Sequence, residues 1–570
     1  DCDTFQRCTV IIFDIIFLLG SYMICRSFLF EQNRDNDVGA TVGNGDGDDD
    51  EGNDNGDGNG GQKDGAAAKV CIVEGDGNRR FTVAFVLLIT NSGLILLDHV
   101  HFQYNGMLLG ILLASLAMLL QSIKVQQQQQ QQYEQHQPIK KGGSIRRPDG
   151  PTNTTRMKKF DLLGAILFAL LLTFKHMYLT LSPFYFFYLL RRFCFSVSEP
   201  TIKTNEGVKV SGSGSNSSSS GSDLCVKEQF SFKSFIILGC TVLVVLVGPF
   251  VPFLRYGAKE QMLQIISRLF PWQRGLCHDY WAGNAWALYL GLEKAMRFLF
   301  WLIGKVQSSN KIAGSSILAS IVSTTERMIA ILRPPFPTIT PSTAAICLFI
   351  GLVPAMYCSW KIGSSATTTT TTSTHNDNKN NNSNNFNNRI RQEGLLYTIV
   401  FSSLSSFMLA YHVHEKAIMT AIIPMTVLAV TSKENARLFL RLSSVGHFGL
   451  MPLLYRSNEL LMKVCLHGSY FLWSLYLLEY VHGAHSKDMK NSTKDKDCSS
   501  PNLLTIWDKA GLGIMGILVV YVEVIHPLEL FPQISKLEFL PLMMTSLWCA
   551  IILVGCWIHC GTIMLRLTKS

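Results

Sequence analysis

The sequence predicts an all-α, polytopic membrane protein, and three observations carry that prediction. The 570 residues are 48% hydrophobic with a mean hydropathy of +0.21, well above the balance of a soluble chain of this length. The apolar residues come in blocks of about 17–25, the length of a helix that crosses a bilayer. The basic residues flank those blocks instead of gathering on one domain, which is the pattern of an oriented membrane protein and excludes a nucleic-acid surface despite the net charge of +9.

Taken in order, residues 8–26 form the first predicted span, with Arg26 behind it. Spans 81–97 and 104–121 follow, joined with almost no loop. Residues 161–181 and 182–194 with its flanks follow Lys158–Lys159 and carry Arg191–Arg192 near their far end, and 234–254 closes an N-terminal module over 1–254. Residues 255–342 read as a non-cytosolic loop with amphipathic helices. Within it, 285–306 has the length to span but holds Glu293, Lys294 and Arg297, so it is expected to be amphipathic or re-entrant. A C-terminal module over 343–570 contains 343–358, 395–411, 417–431, 442–456, 460–480, 505–524 and 540–562. The total is about thirteen spans.

Several stretches lack the apolar content to offset chain entropy and are predicted to be disordered cytosolic insertions. They are 31–66, 122–158 with its glutamine run at 126–132, the Ser/Gly-rich 203–223, 364–388 and 485–500. The sequons at Asn153, Asn216, Asn381 and Asn491 fall in these cytosolic loops, so all four are expected to remain unglycosylated. The 15 cysteines include no Cys-x-x-Cys pair and indicate neither a disulfide framework nor a zinc site. The chain opens on Asp1 and not on methionine, from which a fragment or a shifted start is expected.

With this orientation four polar clusters converge on the non-cytosolic edge, where ionisable groups next to hydrocarbon are functional candidates by default. They are Asp98–Gly106, Phe174–Tyr178, Arg268–Asn284 and Tyr411–Lys416. Arg268 and Arg274 match a phosphate through paired guanidinium hydrogen bonds. Lys175 reads equally as a phosphate contact or as a snorkelling side chain. Asp98, His99 and His101 read first as a helix cap with interfacial hydrogen bonds, and second as metal ligands lacking a defined scaffold. His412, His414, Glu415 and Lys416 form a compact set able to bind an anion and orient a hydroxyl, with a plain surface ion pair as the alternative for Glu415 and Lys416. Trp272, Tyr280 and Trp281 suit either an interfacial aromatic belt or stacking on a sugar. Residues alone therefore point to a site for an anionic, lipid-borne ligand.

Particular motifs then add a resemblance that covers nearly the whole chain apart from the insertions. They are Phe5–Gln6–Arg7 with Asp14, the run Asp98–Gly106 with Gln103, Phe174–Tyr178, Arg268–Pro271 with Arg274–His278, His412–Ile418, and Gly446–His447 with Pro452–Leu454. Together they resemble the GT-C α-1,3-glucosyltransferases of the endoplasmic reticulum that use dolichyl-phosphate glucose. The run Gly275–Asn284 is similar to the members adding the second glucose, although Gly283 stands where they usually carry proline.

The resemblance implies a GT-C fold, a lumenal site and an inverting single displacement onto Glc1Man9GlcNAc2-PP-dolichol. It implies donor-phosphate contacts from Arg274, His414 and Lys416, with Arg268 and Lys175 behind them. Sugar contacts are implied from Asp98, His99, His101, Gln103, Trp272, His278, Tyr280, Trp281, His412 and Glu415. It further implies dolichyl-phosphate glucose, the dolichyl-diphosphate oligosaccharide and the bilayer as partners, with no cofactor and no metal. The general base is expected upstream of Asp1, in the first lumenal loop of the family. Two alternatives stay open: addition of the first glucose to Man9GlcNAc2-PP-dolichol, and a transporter or inactive chain.

Overall fold

The computed structural model describes residues 2–30, 64–135, 151–197, 228–255, 258–269, 275–276, 282–310, 336–364, 377–454, 456–490, 503–529 and 537–569. The chain is helical nearly throughout. In order it forms α1 (Cys2–Leu29), α2 (Asp64–Ile89), α3 (Asn105–Gln135), α4 (Pro151–Phe174) and α5 (Ser182–Cys194). Then come α6 (Phe232–Val247), α7 (Ala258–Leu269), α8 (Ala285–Asn310), α9 (Pro341–Gly363) and α10 (Asp377–Leu409). Helices α11 (Met419–Ala429), α12 (Lys433–Phe448), α13 (Leu460–Lys490), α14 (Ile506–Val520) and α15 (Leu540–Lys569) complete it. One departure from the all-α expectation is a short antiparallel pair, β1 (Phe195–Val197) and β2 (Glu228–Phe230), with Ser196 opposite Gln229.

The core lies where α3, α10, α11 and α12 meet, around Leu112, Leu116, Leu404, Ile422 and Phe439, all fully buried. Other helices carry their apolar residues outward: Val244 is 71% exposed on α6 and Ile350 64% on α9. Such broad apolar faces are stable only in hydrocarbon. Among the described residues seven helices are long and apolar enough to cross a membrane: Arg7–Leu29, Gly77–Val100, Asn105–Gln128, Phe232–Phe253, Pro341–Gly363, Leu460–Gly483 and Leu540–Lys569. The larger count from sequence includes short elements. Helix α5 has 13 residues and α11 has 11, about 20 Å or less at 1.5 Å per residue, against a core of about 30 Å. The apolar block 442–456 is also interrupted, because α12 ends at Phe448 and a 3-10 turn follows at Met451–Leu453.

Several polar stretches extend helices where the sequence predicts disorder. The glutamine run continues α3 to Gln135, the asparagine run opens α10 at Asp377, and α13 reaches Lys490. Glutamine is a fair helix former, so an established helix propagates through it at little cost. Residues 31–63, 136–150, 203–223, 365–376 and 491–500 lie outside the described residues. Segment 285–306 is helical within α8, with an exposed Arg297–Glu293 pair at 2.6 Å.

Buried polar locks tie the two halves together at the end of α2. The Asn91 amide donates to Tyr470 Oη at 3.2 Å, and the Ser92 hydroxyl lies 3.2 Å from His447 Nδ1 and 2.9 Å from His467 Nδ1. Asn91 Oδ1 also accepts from Leu94 N, starting the turn that leads to the first polar cluster.

Candidate active site

After Leu94 the backbone widens into a π turn over Ile95–Val100, with His101 N bonded to Leu96 O at 3.2 Å. Such turns are uncommon and gather at functional sites. This one swings Asp98 under the start of α3. The Asp98 carboxylate is 3% exposed and accepts from Asn105 N and Asn105 Nδ2, both at 3.0 Å, and from Gly106 N. It therefore caps the donors and positive dipole of α3. Gly106 is required for this approach, since a Cβ there would stand 2.9 Å from Asp98 Oδ2.

The capped helix start then recruits two other clusters. Asn105 Nδ2 donates to Gln103 Oε1 at 3.1 Å, leaving both amide oxygens turned toward cations. Lys175 Nζ, just past α4, donates to Asn105 Oδ1 at 3.1 Å. Lys416 Nζ, from the 3-10 turn Glu415–Ile418, donates to Gln103 Oε1 at 3.3 Å. Two ammonium groups from distant parts of the chain thus rest on one pair of neutral amides, and neither has a carboxylate within ion-pair distance among the described residues. A neutral amide accepts from an ammonium without cancelling its charge.

The 411–416 turn also meets the fourth cluster. His412 Nδ1–H donates to Gly275 O at 2.7 Å, and His412 N donates to Leu276 O at 3.0 Å. His412 takes φ 54° and Phe102 φ 50°, left-handed conformations uncommon for such residues and often kept at functional sites. The His412 and His414 rings meet edge to face at 5.5 Å, and Glu415 is buried. His101 feels the charges of both Lys416 and Glu459. Burial holds it below the ordinary imidazole range, with Glu459 opposing the shift and Lys416 adding to it. His101 Nε2 has no hydrogen-bond partner among the described residues.

Four sequence clusters are therefore joined by direct contacts. Of the predicted site residues, Asp98, Gln103, Lys175 and Lys416 share one network, His412 is tied to the 275–276 backbone, and His99 Nε2 lies 3.2 Å from Asp14 Oδ2. Arg268 is exposed at the end of α7, and no hydrogen bond or ion pair among the described residues joins it to this network. Arg274, Trp272, His278, Tyr280 and Trp281 lie outside the described residues. Asn105 and Asp14 lie in runs quoted from the sequence but were given no site role there. Asp14 had a usable signal, as a carboxylate inside an apolar span.

These features define a polytopic helical membrane protein with a half-buried polar network, holding two lysines, at one end of its bundle. The ALG6, ALG8 glycosyltransferase family profile matches residues 66–129 and 152–560, and the chain belongs to that family. Two relatives are 31% identical to it: the dolichyl pyrophosphate Glc1Man9GlcNAc2 alpha-1,3-glucosyltransferases of Bos taurus and Mus musculus, each aligned over 83% of this chain and 69% of its own length. The Arabidopsis thaliana enzyme of the same name is 28% identical, over 83% of this chain and 71% of its own.

Proposed function

We propose that this chain is a dolichyl pyrophosphate Glc1Man9GlcNAc2 α-1,3-glucosyltransferase, adding the second glucose of the N-glycan precursor from dolichyl-phosphate glucose. The names of its relatives support the acceptor, and the same names disfavour addition of the first glucose. The observation that carries the donor is the pair of lysines, Lys175 and Lys416, held on the Asn105 and Gln103 amides with no carboxylate in ion-pair contact among the described residues.

In this reading the glucosyl–phosphate bond breaks as the acceptor hydroxyl attacks from the opposite face and gives its proton to a carboxylate general base, with charge growing on the departing phosphate. Lys416 and Lys175 stabilise that charge, with His414, Arg274 and Arg268 contributing as their chemistry allows. A phosphate monoester leaves as an anion and needs no general acid. His99, His101, Gln103, His412 and Glu415 meet the sugars, with Asp98 holding the start of α3 beneath them, and Trp272, His278, Tyr280 and Trp281 are assigned to the same task. The site faces the lumen of the endoplasmic reticulum, following the basic residues that flank the spans.

The test is transfer of labelled glucose to Glc1Man9GlcNAc2-PP-dolichol by the full protein in nanodiscs, with EDTA present. A Glc2 product that forms with EDTA supports the reading. Product only with Man9GlcNAc2-PP-dolichol, or none without added metal, overturns it.

A further inference from the structure

Asp14 stands at the site because two helices touch through glycine. A Cβ on Gly110 of α3 would lie 2.6 Å from Ile16 O and 2.7 Å from Phe17 Cα of α1, and one on Gly20 would lie 2.2 Å from Gly110 O. No side chain separates α1 from α3 along this crossing. The result is that Asp14, three residues before Phe17, arrives at the start of α3. A Cβ on Gly106 would lie 3.9 Å from Asp14 Oδ1 and 2.9 Å from Asp98 Oδ2, so the two carboxylates border one spot. Asp98 is sealed under the helix start, whereas Asp14 and His99 keep 33% and 45% of their side chains open.

The contact between them has a directional consequence. A carboxylate only accepts, so the neutral His99 ring places its hydrogen on Nε2, 3.2 Å from Asp14 Oδ2. Nδ1 is then a lone pair that accepts a hydrogen bond and offers none. An unprotonated phosphate oxygen has nothing to give it, but a sugar hydroxyl does. The lysines on Asn105 and Gln103 have the opposite character, donors only.

We propose that Asp14 is a positioning residue that fixes the tautomer and ring orientation of His99, so that His99 Nδ1 receives a sugar hydroxyl of the substrate. The proposal rests on the glucosyl-transfer reading above. Both substrates carry sugar hydroxyls, and the kinetics separate them.

The experiment measures KM for acceptor and donor separately, in nanodiscs, for the wild type, Asp14→Asn, Asp14→Glu, His99→Gln and the Asp14→Asn/His99→Gln pair. Loss of one positioned hydrogen bond is expected to raise one sugar substrate's KM about tenfold, with the acceptor the expected one. The double variant is expected to do no worse than either single, since the two act as a unit. Glutamate, which keeps the carboxylate, is expected to recover most of the loss. Thermal midpoints close to wild type separate this from general damage. An increase confined to the donor supports the hydroxyl contact and moves it to that sugar. If both KM values stay within about twofold of wild type, or the two single losses simply add, the proposal is overturned. A wild type that makes no Glc2 product at all sinks the earlier reading instead, so the two failures are distinguishable.

Discussion

The two ends of the membrane-spanning part of α3, Asn105–Gln128, hold similar polar groups in opposite states. Asn105 starts the helix and Gln126 lies 21 residues on, about 31 Å away at 1.5 Å per residue and comparable to the thickness of a bilayer core. At the Gln126 end, Arg192 is fully buried and every guanidinium nitrogen has a partner. Its Nη1 donates to Gln126 Oε1 at 2.7 Å, Nε to Ser122 Oγ at 3.1 Å and Asp161 Oδ1 at 3.3 Å, and Nη2 to Ser122 Oγ at 3.0 Å. At the Asn105 end, two half-buried lysines rest on neutral carbonyls. A cation enclosed with its counter-charge closes a structure. One held by uncharged oxygens at an open edge keeps a field for a ligand.

Breaking the enclosed end is expected to have the largest effect. Arg192→Ala leaves Asp161 buried without its partner, which costs about 3–5 kcal/mol and is read as a lower thermal midpoint and a smaller folded yield. Replacing both partners with apolar residues, Arg192→Met with Asp161→Leu, is expected to recover most of that stability. If the double replacement is as damaging as the single, the contrast between the two ends fails.

At the open end, Lys416→Met is expected to lower kcat/KM by about 10²–10³-fold, the scale of a lost transition-state contact, while the thermal midpoint stays near wild type. A loss of stability equal to that of Arg192→Ala would show the site to be structural. A smaller effect concerns His101. Its folded-state pKa lies below the unfolded value of about 6.5, so the unfolded chain binds the proton more readily. The stability from the neutral ring is present above about pH 6.5 and is lost as the pH falls through it. Thermal unfolding from pH 7.5 to 5.5, flattened in His101→Gln, checks the sign. Smallest of all, Arg297→Ala removes an exposed pair and is expected to change stability by less than about 0.5 kcal/mol.

Sequence made the composition of the site legible more readily than its connections. The motif around Asp98 and the Tyr411–Lys416 turn stood out because charged residues beside hydrocarbon are costly. Asn105 did not stand out, because a neutral amide at a helix start looks like an ordinary turn residue until Lys175 and Asp98 are found on either side of it. Asp14 was visible as a carboxylate in an apolar span, but its partner was not: the two meet only through the Gly20–Gly110 crossing, which joins segments about 90 residues apart.

The sequence by itself determined that the protein is helical and membrane-embedded, because apolar block length and the cost of unpaired backbone in lipid leave no other solution. It also determined which clusters carry polar chemistry. The tertiary structure decided which of those clusters meet, how far the polar runs continue as helix, and which charges are closed off. Those outcomes depend on helix crossings and buried partners distant in the chain, and neither is written in any local pattern.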